Sequence, residues 1–106
     1  MVKYTLHWSK QAKADLREIF EYIKNANSRE RAMYVIGGIR NEAKGITNCP
    51  TKHLKEQFIP NGTVRYAVKW RYKILFTIGE NHINIVSVFH TAQDPNKLID
   101  LKFNII

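Results

Sequence analysis

The residues with most chemical scope in this sequence are a histidine and a group of cations. Arg65, Lys69, Arg71 and Lys73 recur at odd positions within Thr63 to Pro95, and His90 stands towards the end of the same stretch. Cutting an RNA phosphodiester without a metal needs a base for the 2′-hydroxyl, an acid for the leaving oxygen and cations for the phosphorane charge. His90 has the chemistry for either proton transfer, and Arg65 and Lys73 have the charge. The plainer alternative is a solvated strand face and a strand-end histidine bonded to a neighbouring loop.

The cations are concentrated. From Lys44 to Gly79 seven basic residues (Lys44, Lys52, Lys55, Arg65, Lys69, Arg71 and Lys73) face one acid, Glu56, so this segment holds +6 of the +8 net charge. Elsewhere ten basic residues stand against eight acids. Charge placed in this way points to an acidic partner, either nucleic acid or an acidic protein segment. A basic face that merely keeps the protein soluble is the alternative.

Other chemistries lack their residues. The histidines at positions 7, 53, 82 and 90 have no cysteine neighbours and no i, i+4 pairing, so no metal is expected. A Gly-rich phosphate loop, a His-Glu-x-x-His pattern and a Gly-x-Ser-x-Gly elbow are missing as well, so no cofactor is expected. Cys49 is the sole cysteine and is read as a half-buried small residue before Pro50. No apolar run approaches the ~18 residues of a membrane span, and the start, MVKYTLHWSK, has no signal-peptide apolar region. A cytoplasmic protein with no membrane partner is expected. The length of 106 residues suits one domain over residues 1–106.

The elements that must position these groups follow from periodicity. Val2, Tyr4, Leu6 and Trp8 alternate with polar residues as in a strand, with His7 on the polar side. Ser9 is placed to cap a helix over Lys10–Lys24, whose stripe is Ala12, Leu16, Ile19, Phe20 and Ile23. Asp15, Arg17, Glu18, Glu21 and Lys24 fall off the stripe and read as solvent-facing. Asn27 with Glu30 resembles a capping box for a second helix, with the stripe Ala32, Val35, Ile36, Ile39, Ala43 and Ile46. Gly37-Gly38 inside that helix calls for a reason, and close approach of the first helix is the preferred one. Thr47 to Gly62 is a loop carrying Lys52, His53 and Lys55, with Leu54, Phe58 and Ile59 expected to pin it down.

From Val64 to Ile78 every even residue is apolar, too long a run for one strand, so a turn is expected near Lys69-Trp70-Arg71. A three-residue connection keeps all the cations on one face. A two-residue one sends Lys73 and Arg71 across the sheet from Arg65. Gly79-Glu80-Asn81 reads as a second turn, and Ile83 to His90 as a central strand apolar on both faces. Beyond Pro95 an apolar tail runs to Ile106 and is expected to be covered by chain or partner.

Three sets of residues in this order carry a resemblance: Ser9, Ala12, Asp15-Leu16, Ile19 and Tyr22-Ile23; Arg65 before Tyr72-Lys73-Ile74-Leu75-Phe76; and Val88-Phe89-His90-Thr91-Ala92-Gln93-Asp94-Pro95. From Tyr4 to about Leu98 the chain resembles the RelE/ParE superfamily of toxins from bacterial type II toxin–antitoxin systems, and is closer to the ParE-like branch. The resemblance implies an α+β fold, a small antiparallel β-sheet packed against an N-terminal two-helix hairpin in the order β-α-α-β-β-β, with a basic sheet face as its working surface. It implies a toxin that arrests growth by poisoning DNA gyrase, and it places Lys52, Lys55, Arg65, Lys69, Arg71, Lys73 and Gln93 at the target or antitoxin. Lys73 stands where the family usually has arginine after the tyrosine, and Gln93 where ParE-like sequences often have arginine. The implied partners are a cognate antitoxin, short and acidic with an amphipathic helical segment, and DNA gyrase. In the RelE-like alternative the target is ribosome-bound mRNA, cut by an endonuclease using His90, Arg65 and Lys73. A non-toxic nucleic-acid-binding module is the second alternative.

Overall fold

A computed structural model of the protein describes residues 3–55 and 63–92. The chain runs β1 (Thr5–Trp8), α1 (Lys10–Ala26), α2 (Arg29–Ile46), a 3₁₀ turn at Pro50–Lys52, β2 (Arg65–Lys69), β3 (Tyr72–Ile78) and β4 (His82–His90). This is the expected α+β order, two helices against one sheet. The sheet order is β1-β4-β3-β2, in which β2, β3 and β4 form an antiparallel meander and β1 joins β4 in parallel, making the sheet mixed. Among the described residues no helix is long and apolar enough to cross a membrane. Gln93, Phe58, Ile59 and the tail Leu98–Ile106 lie outside the described residues.

Helix α1 forms where its stripe predicts, and Ser9 starts it by accepting the Ala12 N–H at 3.0 Å. The same hydroxyl donates to the Val86 carbonyl at 3.0 Å, so the cap also ties α1 to β4. The second cap is Ser28 rather than Asn27: its hydroxyl accepts the Arg31 N–H at 3.0 Å, while Asn27 closes α1. The side chain one position later has the extended backbone a cap requires, which shortens the connection and makes the helical hairpin tight. Leu16, Val35, Ile39 and Ile46 then meet Ile74, Phe76, Ile83 and Ile85 of the sheet in the main core.

Asp15 corrects the reading of a solvent-facing carboxylate. Strand β1 ends beside Ile85, and beyond that point the outer edge of β4 has no strand partner among the described residues. Asp15 covers the gap, accepting the Ser87 hydroxyl at 2.5 Å and the Val88 N–H at 3.0 Å. A carboxylate accepting two donors satisfies an edge that would otherwise offer unpaired groups.

The β2–β3 turn has two residues. Lys69 pairs with Tyr72, leaving Trp70 and Arg71 as the turn, and Trp70 takes φ 54. Primed hairpin turns need such a backbone and normally use glycine or asparagine, so a tryptophan there costs about 1–2 kcal/mol. Its position explains Gly38. A Cβ on Gly38 would lie 2.2 Å from Trp70 Cη2 and 2.6 Å from Cζ3, whereas one on Gly37 would meet nothing within 4 Å. The close approach is therefore by the hairpin tip, not by the first helix. Cys49 is exposed, and so is Leu54 at 69%. The loop is held instead by backbone, with the Tyr66 N–H donating to the Leu54 carbonyl at 2.9 Å.

Candidate functional site

The two-residue turn decides where each cation goes. Arg65, Ala67 and Lys69 share a face with Tyr72, Ile74 and Phe76, because paired residues point the same way, and Ala67, Ile74 and Phe76 belong to the core beneath the helices. Tyr66, Val68, Lys73 and Leu75 occupy the far face. There Val64, Leu75, Val86 and Phe89 form a second, buried apolar cluster with Tyr66 against it. Of the strand cations, Lys73 alone reaches the far face, its ammonium 4.4 Å from the centre of the Tyr66 ring. The expected basic sheet face is thus divided, and its centre is apolar.

Arg65 is committed locally. Its guanidinium Nη1 donates to the His53 carbonyl at 2.6 Å and to the Thr51 carbonyl at 3.4 Å. Lys55 bridges to Arg65 along the outer edge of β2, so residues 51–55 are laid against that strand. Lys52 is exposed in the 3₁₀ turn. The His53 ring stands edge-on to Phe76, with centroids 5.5 Å apart, and its buried Nε2 has no hydrogen-bond partner among the described residues. Burial pushes the imidazole below its ordinary pKa, the neighbouring Lys52 and Arg65 charges push the same way, and Glu42 opposes them.

His90 lies at the opposite end of the sheet. It pairs with Tyr72 across β3 and β4, their rings perpendicular at 5.0 Å. His90 Nδ1 accepts the Ala92 N–H at 3.0 Å, which places the proton of the neutral ring on Nε2. Burial raises the Tyr72 hydroxyl above its usual pKa, and the Tyr22 hydroxyl adds to the effect. In the adjoining turn the Arg71 carbonyl accepts the Thr91 N–H at 2.8 Å. Lys69, Trp70, Arg71, Tyr72 and His90 therefore gather at the hairpin tip. Arg65 sits four residues away along β2, about 13 Å at ~3.3 Å per residue. One phosphate cannot be gripped by Arg65 and Lys73 from opposite faces, and His90 is separated from Arg65 by strand length and from Lys73 by the sheet itself.

Two features were not legible in the residue pattern. Trp70 fell both in the even apolar series and in the expected turn, and neither reading foretold that the turn would hold it 46% exposed beside the exposed Tyr34. Gly38 was the available signal, since a helical glycine marks close approach without naming what approaches. The second feature is a groove of about 330 Å³ between α1 and α2, floored by Leu16, Phe20 and Ile36 and rimmed by Lys13, Arg17 and Arg40. Among the described residues no group of histidine, cysteine and carboxylate side chains is arranged to hold a metal ion.

Comparison with known proteins agrees with the fold. The family model described as ParE toxin of type II toxin–antitoxin system, parDE, matches residues 6–95. No curated protein matches the sequence. A chain from the chromosomal ParDE TA system of P. aeruginosa superposes with a TM-score of 0.72 at 20% identity, covering 83% of this chain and 96% of that one. A chain from the toxin–antitoxin complex RelBE2 of Mycobacterium tuberculosis gives a TM-score of 0.63 at 17% identity, covering 84% and 99%. At such identities the likeness to the two structures is one of fold.

Proposed function

The chain belongs to the ParE toxin family of type II toxin–antitoxin systems, and on that premise we propose that it arrests growth by poisoning DNA gyrase. The observation that carries this choice is the separation of Arg65, Lys73 and His90. A metal-free nuclease needs its base, acid and phosphate clamp around one phosphodiester. Here the two cations lie on opposite sheet faces; the histidine lies at the Lys73 end of β3 but pairs with Tyr72 on the other face, and it is four strand positions from Arg65. A poison needs no such convergence, since it works by contact. Lys69 and Arg71 at the hairpin tip and Lys73 on the far face are the contacts proposed for the target.

The test is paired: gyrase supercoiling with purified protein, and message cleavage in a translating extract. Inhibited supercoiling with intact message is the expected result. Cleaved message with undisturbed supercoiling would overturn it. The second reading, a ribosome-dependent endonuclease, is favoured by one observation, the Tyr72–His90 ring contact with Tyr22 nearby. Under that reading His90→Ala would lose about 10²–10⁴-fold in cleavage rate. Normal growth on expression from a tight promoter would instead favour a non-toxic nucleic-acid-binding module.

The partner in the cell is a cognate antitoxin, and we read it as short and acidic with an amphipathic helical segment. The groove between α1 and α2 supports that chemistry, with an apolar floor and three cations on its rim. Reversing charge at Arg17 and Arg40 together should weaken antitoxin binding while leaving gyrase inhibition in place.

A further inference from the structure

At the hairpin tip an aromatic stack runs between the cations. Arg31 lies over the Tyr34 ring at 5.4 Å, Tyr34 meets Trp70 at 5.5 Å with planes inclined by 33°, and the Lys69 ammonium lies 4.7 Å from the Trp70 ring centre. The row thus reads cation, ring, ring, cation. Tyr34 is 61% exposed and Trp70 46%. The fold goes out of its way to hold it, with Trp70 in a left-handed backbone and Gly38 giving up the Cβ that would strike the indole. Arg71 is exposed next to Trp70, and no acid occurs from 63 to 78. Glu30, one helical turn before Tyr34, is the acid nearest to it on α2.

We propose that this row is a contact surface for single-stranded DNA, with bases stacking on Trp70 and Tyr34 and phosphates meeting Arg31, Lys69 and Arg71. Exposed rings interleaved with cations match a ligand that brings flat apolar faces and a negative charge at every repeat. A duplex keeps its base faces to itself. An acidic peptide satisfies the cations but offers the rings no face to stack on. A base arriving at Trp70 displaces the Lys69 ammonium, which then pairs with the adjoining phosphate, so neither group is left without a partner. The choice of DNA rests on the gyrase reading above, since that target works on DNA.

Fluorescence anisotropy of a labelled oligothymidylate tests the surface. Saturable binding that weakens with salt is expected, with a duplex of equal length binding at least tenfold more weakly. Tyr34→Ala and Lys69→Ala should each reduce affinity about tenfold with helix content unchanged by circular dichroism. In a Trp8→Phe variant, where Trp70 is the remaining tryptophan, the oligonucleotide should quench its fluorescence. Unaltered affinity in both alanine variants, or no quenching, overturns the proposal. So does tighter binding of oligouridylate, which would point to RNA, or equal competition by polyglutamate, which would point to an acidic protein. Gyrase inhibition by wild-type protein that binds no strand would remove this surface and leave the gyrase reading standing. Strand binding without gyrase inhibition would do the reverse.

Discussion

Alanine at Gly38 should act in the opposite direction to alanine at Gly37, although the two are neighbours in one helix. Replacing an interior helical glycine by alanine ordinarily stabilises by about 1 kcal/mol. At Gly37 a new Cβ meets nothing within 4 Å, so the full gain is expected. In a chain of this size it should raise the melting temperature by roughly 4–8 °C. At Gly38 the Cβ would lie 2.2 Å from Trp70 Cη2, so the indole has to leave. Trp70 is 46% exposed, which leaves about 100 Å² of indole against the protein, or roughly 2.5 kcal/mol at ~25 cal/mol per Å². Loss of the Tyr34 ring contact adds about 0.5 kcal/mol or more. Set against the helix gain of ~1 kcal/mol, Gly38→Ala should destabilise by about 2 kcal/mol. In a Trp70→Ala background the same substitution should stabilise by about 1 kcal/mol, giving a coupling near 3 kcal/mol in a double-mutant cycle. Guanidinium unfolding followed by far-ultraviolet circular dichroism measures all four proteins. A Gly38→Ala protein as stable as Gly37→Ala would refute the reasoning, because it would mean that the indole swings away at no cost.

The other predictions concern single contacts. Asp15→Ala should cost about 1–3 kcal/mol in the same unfolding assay, since it leaves the Ser87 hydroxyl and Val88 N–H unpaired at the edge of β4; Asp15→Asn, which keeps an acceptor, should cost less. In Arg65→Lys the ammonium has a shorter reach than the Nη1 that bonds the Thr51 and His53 carbonyls, so amide exchange at Tyr66, held by the Leu54 carbonyl, should quicken. The His53 pKa is depressed below its ordinary 6.5, so the unfolded chain takes up its proton first as pH falls. Its contribution is therefore complete above about pH 6.5 and is lost as pH falls towards the folded value, and His53→Gln should flatten that part of the stability profile. His90→Ala should leave gyrase inhibition within about threefold of wild type, and a loss of 10² or more would return attention to proton transfer.

The element order, the two helices with their buried stripes, the Ser9 cap and the two-sided apolar character of β4 are all legible in the residue pattern. These depend on residues within a few positions of one another, where 3.6- and 2-residue periods are plain. The pattern left open which face each cation takes. An even-residue apolar series from Val64 to Ile78 has the same period with either turn length, and the two-residue turn sends its first half to the far face and its second half under the helices. Asp15 and Gly38 were misread for the same reason. One is explained by the short reach of β1 beside β4, and the other by the indole of Trp70 arriving from a strand turn distant in the chain. Local pattern records what a residue does for its own helix or strand. Only packing between elements decides which edge is left open, which side chain approaches, and hence which of the basic residues can act together.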